Sequence, residues 1–220
     1  MERVAIEGEV ASANIDAHFW KTLPLLQSGR KVLRLIYDQH TLQNRFFYQG
    51  GNTHVAYRSG IPLFLHALET DFGWRPDERH AIAFPDEGAC KRFGKAFPGY
   101  ELVICAKKRD GDRRIVTIVD GDCKGRNVVI IDDLVRSGGT LIECAKGLLD
   151  HGAARVSCYV THAEFPDQAW RKFLPDASPV PFSSFWVTDS CADVTDALKG
   201  VSPFSVISIA QDVHSFINQT

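Results

Sequence analysis

The chain has 220 residues, of which 45% are apolar and 24% are charged, and its formal net charge is −2. These values are ordinary for a globular protein, and the near-neutral charge argues against a general nucleic-acid binder. No apolar run approaches the length of a membrane span, and the N-terminus lacks the basic-then-apolar pattern of a secretory signal. The length suits one large domain, or one and a half small α/β domains.

The six cysteines are scattered through the sequence and include no Cys-x-x-Cys pair. Most of them lie in apolar segments, which favours reduced core thiols over disulfides or a zinc site. Reduced thiols and the lack of a signal pattern together predict a cytoplasmic protein.

The first third of the chain contains a weak helical pattern over residues 8–27, which Gly29 ends. A strand is predicted at Lys31–Tyr37 and a helix at Pro62–Phe72, and a turn-rich connection then puts a domain boundary near residue 76. The apolar face of the first helix would consist of Val10, Ile15, Phe19 and Leu23.

Strands and helices alternate through the rest of the chain. The predicted strands are Ala81–Phe84, Glu101–Cys105, Arg114–Val119, Val128–Ile131, Arg155–Thr161, Phe185–Thr188 and Phe204–Ile209. The predicted helices are Ala89–Phe97, Leu141–His151 and Ala210–Asn218. This alternation predicts an α/β fold with a parallel sheet that is covered by helices on both faces.

The stretch Asn127–Thr140 carries the strongest functional signal. Its apolar run, Val128–Ile131, is typical of a strand buried on both faces, and Asp132 and Asp133 follow it. A loop of small residues, Ser137–Thr140, and a helical pattern come next. This order is the layout of a phosphate site at the carboxyl end of a parallel strand.

The residue types in this loop suit an anion. Gly138 and Gly139 let the backbone turn tightly and present N–H groups, while Ser137 and Thr140 add hydroxyl donors. The loop has neither the Gly-Lys-Ser/Thr of a Walker A motif nor a Gly-x-Gly-x-x-Gly pattern. The alternative is that the acidic pair begins a helix and the loop is an ordinary flexible turn.

Three side chains at predicted strand ends are candidate metal ligands. Asp38 and His40 are two residues apart, so both can project to the same side, and an oxygen with a nitrogen suits a metal ion. His40 could equally be a structural hydrogen-bonding residue. Asp86 lies between a strand and a helix, where the alternative is a helix N-cap.

A basic segment from Lys107 to Arg114 lies between two predicted strands. It could be a solvated charged loop. It could also close over a polyphosphate, with Lys107 and Arg109 neutralising the charge that develops during phosphoryl transfer and Gly111 serving as a hinge.

The acidic pair followed by Ser-Gly-Gly-Thr resembles the phosphoribosyl diphosphate (PRPP) binding loop of type I phosphoribosyltransferases and PRPP synthetases. The flanking motifs are similar to those of the second group, the ribose-phosphate diphosphokinases, and cover nearly the whole chain. They are Asp38-x-His40, Phe84-Pro85-Asp86-x-Gly88-Ala89-x-Lys91-Arg92, Lys107-x-Arg109, Val119-x-Gly121-Asp122-x-Lys124-Gly125, Thr161-His162 and Val187-Thr188-Asp189. The details at 40–46, 83–86 and 185–190 look most like the class II enzymes of plants.

This resemblance implies two α/β domains of the same type, and the chain is shorter than the family pattern. Residues 1–75 would be a partial N-terminal domain and residues 76–205 the C-terminal domain that binds PRPP or ribose 5-phosphate. Residues 206–220 would form a helix packed back on the N-terminal part. The first strands of the N-terminal domain would be missing, so a homo-oligomer is expected to cover the exposed apolar surface.

The resemblance also implies an activity, the transfer of the β,γ-diphosphoryl group of ATP to the 1-hydroxyl of ribose 5-phosphate, which gives PRPP and AMP. Nucleic acid and membrane are not expected as partners. The implied roles are as follows: Asp132 and Asp133 bind the ribose hydroxyls, Arg136, Ser137, Gly138, Gly139 and Thr140 hold the 5-phosphate, Asp38, His40 and Asp86 bind Mg²⁺, and Lys107 and Arg109 stabilise the transition state. The alternatives are a non-catalytic homologue that binds ribose 5-phosphate or PRPP, and a phosphoribosyltransferase.

Overall fold

The computed structural model describes residues 12–24, 29, 31–110 and 113–218, with the backbone alone at 12–14, 107–110 and 113–115. The described residues divide between two compact units, the first ending at Ser59 and the second starting at Gly60. The division falls before the helix that follows Gly60, not near residue 76. This helix, α2, buries Ile61, Phe64 and Leu68 in the core of the second unit, and therefore belongs to it.

The described part of the first unit is built on one parallel strand pair. Its elements are α1 (Ser12–Lys21), β1 (Val32–Tyr37), a 3-10 helix (Leu42–Tyr48) and β2 (Thr53–Arg58). Strand β1 pairs with β2 from Val32 opposite Thr53 to Tyr37 opposite Arg58. Strand β1 was predicted, whereas β2 was not, because its sequence THVAYR is not an apolar run.

The apolar face predicted for α1 is wrong within the described helix, because its residues there are not buried. Ile15 and Phe19 are 58% and 61% exposed, whereas Ala17 is buried, and Val10 lies outside the described residues. Polar contacts bind α1 to β1 instead. The Arg34 guanidinium lies 4.4 Å from the centre of the Trp20 ring and 3.3 Å from the Asp16 carboxylate.

The second unit is built on a sheet of seven strands among the described residues, in the order β5-β4-β3-β6-β7-β8-β9. The β4–β5 pair is antiparallel and the other pairs are parallel. The strands are β3 (His80–Phe84), β4 (Glu101–Asp110), β5 (Arg113–Asp120), β6 (Asn127–Val135), β7 (Arg155–Ala163), β8 (Phe182–Thr188) and β9 (Phe204–Ile207). The helices are α2 (Ile61–Thr70), α3 (Glu87–Phe93), α4 (Gly139–Asp150), α5 (Ala192–Leu198) and α6 (Ala210–Ile217), with 3-10 helices at Gly94–Ala96 and Pro166–Phe173.

Each face of this sheet has its own apolar core. One core includes Leu141 and Leu148 of α4 and Leu198 of α5, packed with Ile130 of β6. The other contains the buried residues of α2 and α3, packed with Ile131 of β6 and its neighbours. The predicted α/β fold, with a parallel sheet covered on both faces, is confirmed.

Several predicted elements differ in extent from those observed, and α5 was not predicted. Strands β6 and β7 run on to Val135 and Ala163, so the acidic pair lies inside β6 rather than after it. Helix α3 ends at Phe93 and continues as a 3-10 turn to Ala96. Polar residues such as Asp132 and His162 end an apolar run in the sequence, but they continue a strand when its neighbours supply backbone partners.

All six cysteines are free thiols, in agreement with the prediction of reduced core residues. Burial raises the pKa of the Cys158 thiol well above its ordinary value, which disfavours the reactive thiolate. Among the described residues, no helix is long and apolar enough to cross a membrane.

Candidate functional site

The acidic pair lies near the carboxyl end of β6, a central strand flanked by β3 and β7. Asp132 is partly exposed, and its Oδ1 atom accepts a hydrogen bond of 2.9 Å from the backbone N–H of Asp133. Asp133 is only 3% exposed. The two carboxylates therefore have different surroundings, as expected for successive residues of a strand.

Asp133 forms an ion pair with Arg92 of α3, in which Nη1 of the guanidinium donates to Oδ2 of the carboxylate. Both side chains are largely buried, so each charge neutralises the other away from water. Sequence reasoning gave Arg92 no role, although the resemblance included it in the block that ends at Lys91-Arg92. The pair joins the helix after β3 to the end of β6.

The small-residue loop, Ser137–Thr140, requires glycine at position 138. Gly138 has φ = 78°, in the left-handed region that favours glycine. A Cβ atom added there would lie 2.5 Å from two carbon atoms of the buried Phe173 ring. The second reason for this glycine is therefore a packing contact with a residue 35 positions further along the chain.

Helix α4 begins directly from this loop, at Gly139. Its N-cap residue is Gly138, which has no side chain to cap the first turn, and Ser137, Gly139 and Thr140 are exposed. The first N–H groups of a helix lack partners inside the helix and carry a partial positive charge. This arrangement is suited to binding a phosphate group through backbone N–H groups and hydroxyls.

Two cationic side chains lie beside the loop. Arg136 is exposed, and its Nε atom is 2.9 Å from Oε2 of Glu164, which follows β7. Lys172, from the 3-10 helix Pro166–Phe173, donates from Nζ to the carbonyl oxygen of Ser137 at 3.3 Å. Lys172 was missed from the sequence, because it lies far along the chain in a segment without a clear pattern.

Asp86 follows β3 and is an N-cap, as the alternative interpretation predicted. Its exposed carboxylate accepts a hydrogen bond of 2.9 Å from the Ala89 N–H at the start of α3. Because β3 and β6 are parallel neighbours, Asp86 also lies at the edge of the sheet where Asp132 and the loop are found.

The basic segment is mostly strand rather than loop. Strand β4 continues to Asp110 and β5 starts at Arg113, with Lys107 opposite Val116 and Arg109 opposite Arg114. The predicted loop over Lys107–Arg114 is therefore too long, because antiparallel pairing extends into it. The predicted hinge, Gly111, lies outside the described residues.

The remaining metal candidates, Asp38 and His40, belong to the first unit, whereas Asp86 belongs to the second. Asp38 follows β1 with φ = 33° and is buried, and its N–H donates to the Arg58 carbonyl at 3.0 Å. His40 is exposed. Among the described residues, no group of three or more His, Cys, Asp or Glu side chains could hold a metal ion by itself.

Hydrogen bonds brace the same edge of the sheet at β7 and β8. Thr188 Oγ1 and Ser190 Oγ both donate to the Thr161 carbonyl, at 2.6 and 3.0 Å. The Ser190 hydroxyl also forms a hydrogen bond of 2.9 Å with Nδ1 of His162. The motifs at Thr161-His162 and Val187-Thr188-Asp189 therefore stabilise the edge on which the candidate site lies.

Comparison with known proteins first defines the class of this domain. The phosphoribosyl transferase domain family matches residues 102–185, a range that includes the acidic pair and the phosphate loop. The fold is similar to that of phosphoribosylpyrophosphate synthetase from Mycobacterium smegmatis, with a TM-score of 0.72 and 23% identity, over 96% of this chain and 64% of that one. The second unit is a phosphoribosyltransferase-type domain.

The particular family follows from sequence relatives. Ribose-phosphate pyrophosphokinase 3 of Oryza sativa is 46% identical over 97% of this chain, and that of Spinacia oleracea is 45% identical over 96%. Ribose-phosphate pyrophosphokinase 4 of Oryza sativa is 45% identical over 96% of the chain. The chain is a homologue of the plant ribose-phosphate pyrophosphokinases over nearly its whole length, which confirms the resemblance drawn from its motifs.

The chain spans 52%, 52% and 65% of the length of these three relatives. The first rice relative is named as chloroplastic and the spinach relative as mitochondrial. A cytoplasmic location therefore stays a prediction from the sequence of this chain.

Proposed function

We propose that this chain has ribose-phosphate pyrophosphokinase activity and transfers the β,γ-diphosphoryl group of ATP to the 1-hydroxyl of ribose 5-phosphate. The products are PRPP and AMP. The observation that carries the proposal is the N-terminus of α4, with glycine as its N-cap, which follows an acidic pair at the carboxyl end of a central parallel strand. One end of this constellation suits a phosphate and the other suits sugar hydroxyls.

In this proposal the 5-phosphate of the acceptor lies against Ser137–Thr140. Backbone N–H groups at the start of α4 and the hydroxyls of Ser137 and Thr140 donate to its oxygens, and Arg136 and Lys172 supply positive charge nearby. Asp132 accepts hydrogen bonds from the ribose hydroxyls and thereby orients O1. Asp133 contributes through its ion pair with Arg92, which fixes the end of β6.

Transfer from ATP, the diphosphoryl donor, depends on positively charged side chains. Attack of O1 on the β-phosphorus releases AMP, and the transition state spreads negative charge over the phosphate oxygens. Lys107 and Arg109, on the β4–β5 hairpin, are proposed to neutralise this charge. Holding the two reactants in line supplies much of the remaining rate enhancement.

Mg²⁺ fits the residues at this edge of the sheet if substrate oxygens complete its coordination. Asp86 is an exposed carboxylate that already uses one oxygen for its cap, and Mg²⁺ is usually bound by one or two carboxylates together with phosphates and water. Asp38 and His40, in the first unit, stay candidate metal ligands on the basis of the sequence. When bound, the ion would neutralise the diphosphate and orient it.

The direct test mixes the full chain with ribose 5-phosphate, ATP and Mg²⁺ and follows AMP. The proposal predicts AMP release that requires all three additions. A folded sample at high protein concentration that releases no AMP above the blank would contradict it.

A non-catalytic role is the second candidate, and the observation in its favour is that no group of three or more possible metal ligands lies together among the described residues. In this role the chain binds ribose 5-phosphate through the phosphate loop and the acidic pair but does not catalyse the transfer. Calorimetry separates the two, because binding of ribose 5-phosphate without ATP binding or AMP release supports the second candidate alone.

A further inference from the structure

A second cavity lies at the opposite end of the sheet from the phosphate loop. It has a volume of about 230 Å³, and Asn127, Arg155 and Ser183 line it at the amino ends of β6, β7 and β8. Strand β6 rises about 3.3 Å per residue, so Asn127 and Val135 are separated by roughly 25 Å. The cavity is therefore distinct from the proposed ribose 5-phosphate site.

Aromatic side chains form much of its wall. Trp186 of β8 is only 2% exposed, and the ring of Phe72 meets it edge-on at 4.9 Å between ring centres. Trp74 also lines the cavity, and its ring centre lies 4.4 Å from that of His80, with the two planes tilted by 33°. Flat walls of this kind favour a planar ligand over a branched or spherical one.

Two buried groups in the wall can donate a hydrogen bond and have no acceptor among the described residues. Trp186 Nε1 is buried and has no hydrogen-bond partner, and an indole N–H can only donate. Ser157 is 5% exposed, and its hydroxyl makes no hydrogen bond within the described residues. Buried polar groups are normally satisfied, so these two favour a ligand that brings acceptor oxygens.

The charge of the cavity wall also favours a ligand with acceptor oxygens. Arg155 lies in its wall at the start of β7 and forms no ion pair among the described residues. None of the described side chains that line the cavity is acidic. A guanidinium binds a carboxylate through two parallel hydrogen bonds, which gives orientation as well as affinity.

We infer that this cavity binds a small planar organic anion, a single aromatic ring that carries one carboxylate. The ring lies against Trp186 and the carboxylate faces Arg155. The volume is below the range of about 300 to 1,000 Å³ that is usual for drug-sized ligands, which limits the occupant to such a small molecule. The inference does not rest on the proposed enzyme activity.

The test uses benzoate as the probe and the ¹⁵N-labelled full chain, and follows the indole N–H signals by NMR. The Trp186 signal is identified by its loss in Trp186→Phe. Benzoate is expected to shift this signal in a saturable way and to leave that of Trp170, which is not in the cavity wall, unchanged. Arg155→Gln should weaken binding about tenfold, because it removes the charge-assisted contact.

Arg171→Gln is the matched control, since Arg171 is also exposed but lies over the Trp170 ring, outside the cavity wall. It should bind benzoate as the wild type does. A Trp186 signal that does not move in folded protein would overturn the site. Equal binding of benzyl alcohol, or unchanged affinity in Arg155→Gln, would overturn the assignment of an anion.

Discussion

Gly138 shows how one residue serves both the shape of a loop and the packing beneath it. The need for glycine at position 138 could be predicted from the sequence, because a phosphate loop needs a tight turn. Its contact with Phe173 could not, because the two residues are 35 positions apart and only the fold brings them together. The same holds for Arg92 and Asp133, which are 41 positions apart.

Gly138→Ala should destabilise the protein and abolish binding of ribose 5-phosphate. The new Cβ meets the Phe173 ring at 2.5 Å and the backbone has φ = 78°, so a packing penalty adds to a backbone strain of ~1–3 kcal/mol. Urea unfolding measures the loss. Gly125→Ala isolates the strain, since Gly125 has φ = 71° and nothing within 4 Å, and it should cost less.

Arg92→Met should lower the free energy of unfolding by ~3–5 kcal/mol, because it removes the positive charge that Arg92 places beside the buried Asp133 carboxylate. Lys91→Met is the control on the same helix. Its ion pair with Glu87 is exposed, so the loss should be ~1 kcal/mol or less. Urea midpoints for the two variants that differ by no more than experimental error would contradict a structural role for the buried pair.

At the scale of elements, Asp86, Asp132 and the phosphate loop all lie at the carboxyl edge of the sheet in the second unit. The sequence predicted the order of strands and helices from apolar runs, and it placed Asp86 and the phosphate loop where strands end. It did not predict the length of β6, because acidic residues look like the end of a strand. Nor did it predict that the basic segment would pair as a hairpin, since pairing depends on the partner strand.

The proposed catalytic role of the β4–β5 hairpin can be tested by substitution. Lys107→Ala and Arg109→Ala should each reduce the rate of AMP release about 10²–10³-fold, because each removes charge that stabilises the transition state. Binding of ribose 5-phosphate, measured by calorimetry, should stay within about twofold, since the hairpin acts on the donor side.

Lys108→Ala is the control in the same strand, and it should release AMP at close to the wild-type rate. If Lys108→Ala is as slow as Lys107→Ala, the effect comes from the net charge of the hairpin and not from the proposed residues. If none of the three variants is slow, the hairpin has no role in the reaction.

At the scale of the whole molecule, the first unit exposes large apolar side chains. Ile15, Phe19 and Phe46 are 58%, 61% and 70% exposed. Exposed apolar surface of this kind commonly marks a contact with another chain. We expect a homo-oligomer.

The mass in solution measures this directly. Light scattering should give at least twice the chain mass of 24.5 kDa, and Phe46→Ser should shift the mass towards that of one chain by removing apolar surface. A wild-type mass of 24.5 kDa across the accessible concentration range would contradict the expectation.

The central claim is that the loop Ser137–Thr140 at the end of β6 binds the 5-phosphate of ribose 5-phosphate. Calorimetric titration of the full chain with ribose 5-phosphate, beside a matched titration with ribose, tests it most directly. We expect saturable heat with ribose 5-phosphate, because the loop contacts the phosphate. With ribose we expect heats no larger than the heat of dilution. Equal heats from the two sugars, or no binding of ribose 5-phosphate by folded protein, would contradict it.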